Sequence, residues 1–125
     1  MNEVDKAQRA ARKAVRKLRK AQIAAARAEA LAIEKATPLE PSGGLHVITF
    51  TKTFGGSTTY TYAAIRPRKG SMWYLSGIRA GTPMSWNKLL EFVTRREPDV
   101  IKAYRNIRDT YILDTPLLVK GDFDA

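Results

Sequence analysis

The chain has 125 residues, a formal net charge of +10 and no cysteine. That length allows one small domain plus an appendage, and the absence of thiols excludes disulfides and argues against a zinc or iron–sulfur centre. The excess of Lys and Arg favours a negatively charged partner.

Residues 1–36 hold ten basic and four acidic side chains, and residues 37–125 hold twelve and eight, so the charge is concentrated at the front. This first stretch has no Gly or Pro and is built of good helix formers. We expect one helix over it, started by Asn2 as N-cap with Glu3 and Asp5 in the first turn, and about 50 Å long at 1.5 Å per residue. Set in heptads, Val4, Ala7, Ala11, Ala14, Leu18, Ala21, Ala25, Ala28 and Ala32 fall on one side as a smooth, coiled-coil-like seam. Lys6, Arg9, Arg12, Lys13, Arg16, Arg19, Lys20 and Arg27 fall away from it, and residues 6–20, Lys17 included, hold eight Lys or Arg and no acid. A merely solvated helix face mixes Glu with Lys, so this one-sided stripe points to a polyanion. The start is too polar for a secretory signal, and its acids and lack of Ser argue against a transit peptide.

Residues 37–44, with Thr37, Pro38, Pro41, Gly43 and Gly44, read as a hinge. Residues 45–116 read as a folded domain, and 117–125 as a tail with an apolar start and an acidic, mobile end. Leu45 to Phe54 is a strand with Ile48, Phe50 and Phe54 alternating against threonines. Gly55 to Ser57 make a turn, Thr58 to Arg66 a second strand with Tyr60, Tyr62 and Ala64 on one face, and Pro67 to Gly70 a basic turn. Ser71 to Gly77 completes a three-stranded antiparallel meander. After the Gly81–Pro83 loop, Ser85 caps a helix whose Trp86, Leu89, Leu90 and Val93 face a core. A second helix is predicted to start at Pro98, to carry the stripe Val100, Tyr104, Ile107 and Tyr111, and to end at Asp114 to Pro116. The fold class is therefore α+β: a long basic helix, a three-stranded meander and two shorter helices on one face.

The runs YTYAAIR, MWYLSG and SWNKLLEFV resemble small, mostly uncharacterised proteins encoded by phages of actinobacteria. The resemblance spans about a quarter of the chain and implies a phage origin and a setting in the bacterial cytoplasm or the virion. It carries no catalytic residue.

Supply argues against an enzyme. The single histidine, His46, has no carboxylate at i+3 or i+4, and the glycine pair Gly55–Gly56 lacks the context of a phosphate-binding loop. No cofactor is indicated. The expected function is electrostatic binding of nucleic acid or a nucleoprotein through residues 6–20, joined by Arg66, Arg68 and Lys69 at the basic turn. Arg95, Arg96, Lys102, Arg105 and Arg108 extend that surface, whereas Tyr60, Tyr62, Trp73 and Tyr74 serve mostly as core. Lipid is a poor partner because the seam offers methyl groups in place of Trp and Phe. The competing reading is a virion assembly protein or host-target inhibitor whose alanine seam docks on a protein partner or a second copy.

Overall fold

The computed structural model describes residues 2–54, 56–77, 82–111 and 115–123. It forms two compact units, residues 1–34 and 35–125. The first is almost all of α1 (Glu3–Ala36), an unbroken α-helix of 34 residues. Asn2 starts it as expected: its Oδ1 accepts from the Asp5 N–H at 2.8 Å, satisfying one of the unpaired donors of the first turn.

The second unit is built on a six-stranded antiparallel sheet. Its long central pair is β1 (His46–Phe54) and β2 (Thr58–Arg66), in register from His46 opposite Arg66 to Phe54 opposite Thr58. β3 (Trp73–Leu75) pairs with β2, and β4 (Pro83–Met84) with β3. Two helices follow, α2 (Trp86–Thr94) and α3 (Val100–Arg105). β5 (Arg108–Asp109) then returns to the far side of β1 and β6 (Thr115–Pro116) pairs with it, giving the order β4-β3-β2-β1-β5-β6.

The three-stranded meander is thus only the centre of the sheet. β4, β5 and β6 have two residues each, too few to show any alternation, and their pairing is set by the strands beside them. The second short helix also needs correction. It stops at Arg105, well short of the expected end at Asp114 to Pro116: Asn106 is its C-cap and donates from Nδ2 to the Thr51 carbonyl at 2.9 Å. Ile107 is then buried from coil, Arg108 and Asp109 join the sheet opposite Thr49 and Ile48, and Tyr111 is 51% exposed. Pro98 lies ahead of the helix, and Asp99 is the N-cap, accepting from the Lys102 N–H at 3.0 Å. The expected stop at Asp114 lies outside the described residues, as do Gly55, Gly81 and the last two residues of the tail.

The core lies on one face of the sheet, where Ile48 and Phe50 of β1, Tyr62 and Ala64 of β2, and Trp73 and Leu75 of β3 meet Leu89, Leu90 and Val93 of α2. Phe50 stacks on Tyr62 with ring centroids 5.5 Å apart, and Phe92 meets Tyr62 edge-on at 5.2 Å. Burying each large apolar side chain stabilises the unit by about 1.5–3 kcal/mol. Ser85 caps α2 as its position predicts, accepting from the Lys88 N–H at 3.3 Å.

The segment 37–44, read from sequence as a hinge, is fastened within this second unit. Leu39 N–H donates to the Leu118 carbonyl at 2.8 Å and Lys120 N–H to the Thr37 carbonyl at 3.0 Å, so the start of the tail clips onto it. The Trp86 indole donates to the Pro38 carbonyl at 3.1 Å. Residues Lys120–Phe123 close the tail as a short 3-10 turn. There Gly121 packs closely on Lys35: a Cβ would sit 3.1 Å from the Lys35 carbonyl oxygen, so a side chain would force a shift of a few tenths of an ångström.

Candidate nucleic-acid interface

At 100° per residue, the eight cations from Lys6 to Lys20 occupy an arc of about 160° on α1, and Val4, Ala7, Ala11, Ala14, Leu18, Ala21 and Ala25 occupy about 100° on the other side. Every α1 residue from Glu3 to Ala32 is exposed. Within the helix no carboxylate pairs with any of these cations. Eight charges over 15 residues amount to about one per 2.8 Å of axis, between the 1.7 Å per charge of duplex DNA and the 3.4 Å of a single strand.

The basic turn divides. Arg68 and Lys69 are exposed at its tip, shaped by Ser71, whose Oγ donates to the Arg68 carbonyl at 2.8 Å. Arg66, named with them from sequence, is 3% exposed and turned to the protein. Its Nη1 lies 3.3 Å from Glu40 Oε1, its Nη2 donates to the Gly43 carbonyl at 3.1 Å, and its guanidinium lies over the Trp73 ring at 5.3 Å. Glu40 is shared, because its Oε2 also accepts from the Trp73 indole at 2.9 Å. Arg66 therefore fastens the 37–44 segment to the sheet and is not offered to a phosphate. Its position gave warning: in β2 it falls at i+2 from Ala64 and i+4 from Tyr62, on the core face.

Of two further polar side chains with buried or part-buried partners, Lys52 escaped the sequence reading, and His46 was weighed there without the partner it has in the fold. Lys52 takes the core position after Ile48 and Phe50, and is 4% exposed. Its Nζ donates to the Val93 carbonyl at 3.1 Å, the Arg95 carbonyl at 2.9 Å and Glu97 Oε1 at 3.4 Å, and lies 5.4 Å from the centroid of the Phe92 ring. A cation here satisfies carbonyls that the end of α2 leaves without helical partners and meets the negative end of its dipole. His46 gains a carboxylate from 63 residues away: Nδ1 lies 2.8 Å from Asp109 Oδ2, and Nε2 lies 2.6 Å from the Ser42 carbonyl. With a backbone carbonyl at the nitrogen that would otherwise face a substrate, the pair ties β1 to β5 and to the 37–44 segment. Among the described residues no group of three His, Cys, Asp or Glu is placed to hold a metal ion.

Of the aromatics weighed for base stacking, Tyr62 and Trp73 are core, while Tyr60 and Tyr74 are about half exposed. Arg95, Arg96, Lys102 and Arg105 are exposed around α3 and the end of α2. No helix among the described residues is long and apolar enough to cross a membrane. No protein-family model, curated protein or solved structure matches the chain.

Proposed function

We propose that this chain is a small, non-enzymatic accessory protein of phage origin that binds nucleic acid or a nucleoprotein electrostatically through α1, in the host cytoplasm or in the virion. The observation that carries the reading is the run of eight cations and no acid between Lys6 and Lys20, on one broad arc of a continuous exposed helix. Such an arc meets phosphates without reading bases, so binding depends little on sequence. Arg68 and Lys69 add charge at an exposed turn. The phage setting rests on the resemblance of residues 60–93.

If five or six of these cations meet phosphates, log affinity falls with log salt at a slope of about −5. Fluorescence anisotropy of labelled DNA and RNA, titrated over a salt series, measures that slope. Replacing Arg9, Arg12, Arg16 and Arg19 together by Glu abolishes the binding while the tryptophan fluorescence of the second unit stays unchanged. Absence of any retention at low salt refutes the reading. Ala14→Glu with Ala21→Glu, on the opposite side, leaves the phosphate contact intact, and loss of a protein partner or of self-association in that variant favours docking through the seam instead.

A further inference from the structure

The second unit carries a basic groove where the Thr51–Thr53 edge of β1 meets the loop after α2 and the start of α3. Two adjoining cavities form it, of ≈ 620 Å³ and ≈ 430 Å³, and they share Thr53, Glu97 and Pro98. β5 covers β1 only at Ile48 and Thr49, which leaves this end of the strand edge to line the groove. Lys102 and Arg105 line one cavity, and Lys52, Arg95 and Arg96 the other. The two carboxylates present are engaged: Glu97 by the Lys52 ammonium and Asp99 by the Lys102 backbone N–H. Lys52 is spent on the end of α2 as well. Arg95, Arg96, Lys102 and Arg105 are left with no side-chain partner among the described residues.

The backbone supplies a second observation. Thr94 to Glu97 is a type II turn, with Glu97 N–H donating to the Thr94 carbonyl at 3.1 Å and Arg95 at φ −61°, ψ 126°. Its third position needs a positive φ and ordinarily takes Gly, yet Arg96 holds it at φ 60°. A long L side chain in that conformation carries backbone strain, and this one lines a basic cavity with no side-chain partner among the described residues.

We infer that this groove is a second phosphate-contacting site, with Arg95, Arg96, Lys102 and Arg105 taking the sugar–phosphate backbone of a nucleic acid. The inference rests on the reading of the chain as a nucleic-acid binder and adds a contact outside α1. Its test uses the full chain, a fluorescein-labelled DNA duplex of mixed sequence, and the variants Arg96→Gly and Arg95→Gln with Arg105→Gln. Arg96→Gly relieves the turn, so its melting temperature rises, while loss of one phosphate contact weakens binding about eightfold at 0.1 M salt and reduces the salt slope by about 0.9. The paired glutamine variant lowers the slope by about twice that. Wild-type affinity and slope in both variants overturn the groove. If the fourfold Glu variant of α1 binds as wild type while the groove variants do not, the α1 reading falls and the groove stands. If the wild-type chain binds neither DNA nor RNA at low salt, both fall.

Discussion

Replacing Lys52 by Met tests whether the buried ammonium holds the second unit together. Met keeps most of the volume and the apolar stem, and so removes little but the three donors of Nζ. Two of those donors serve backbone carbonyls at the end of α2, at 3.1 and 2.9 Å, and a hydrogen bond to a charged group is worth about 1.5–3 kcal/mol. The third reaches Glu97 at 3.4 Å; that carboxylate is 23% exposed, so water takes over part of the lost interaction and we assign it under about 1 kcal/mol. Against this, Met spares the desolvation of an ammonium, which offsets about half of the gross loss. The net cost is about 2 kcal/mol, or a fall in melting temperature of about 8–16 °C for a unit of this size. Trp73 and Trp86 both sit in the core cluster or against it, so tryptophan emission reports this unit without interference from α1, which has no Trp. A double-mutant cycle with Glu97→Gln separates the ion pair from the helix cap. A Lys52→Met protein that melts within about 2 °C of wild type, or above it, refutes the assignment of Lys52 as the cap of α2.

Arg66→Met removes the partner of Glu40 and the donor to the Gly43 carbonyl; we expect a loss of about 2–3 kcal/mol by chemical denaturation, and no change in nucleic-acid affinity beyond the unfolded fraction. Should Arg66→Met instead weaken binding while stability holds, the residue belongs to the interface after all. Asp109→Asn keeps the shape of the side chain but removes its charge beside His46, at a cost of about 1 kcal/mol, and amide hydrogen exchange should accelerate first at β5 and the 37–44 segment. The groove variant Arg96→Gly gains about 1 kcal/mol from relief of the turn, measured by the same denaturation.

The sequence by itself determined what repeats along the chain. Thirty-four residues without Gly or Pro make a helix wherever they are placed, and the spacing of Ala against Lys and Arg fixes which arc is smooth and which is charged. Period-two alternation located β1 and β2, and the Ser85 cap with its i, i+3, i+4, i+7 spacing located α2, because those signals lie within a few residues of each other. Only the tertiary structure decided the rest. A two-residue strand has no periodicity, so β4, β5 and β6 exist because a neighbouring edge was there to pair with. The expected stripe from Val100 to Tyr111 was broken where Asn106 found the Thr51 carbonyl, a partner 55 residues back. Lys52 and Arg66 look like surface cations in a list of residues, yet their strand parity aims them at the core, where helix-end carbonyls and Glu40 were waiting. Charge along the chain is thus local information, whereas whether a given charge meets water or a buried acceptor depends on residues far away in sequence, and the packing of the sheet brings those together.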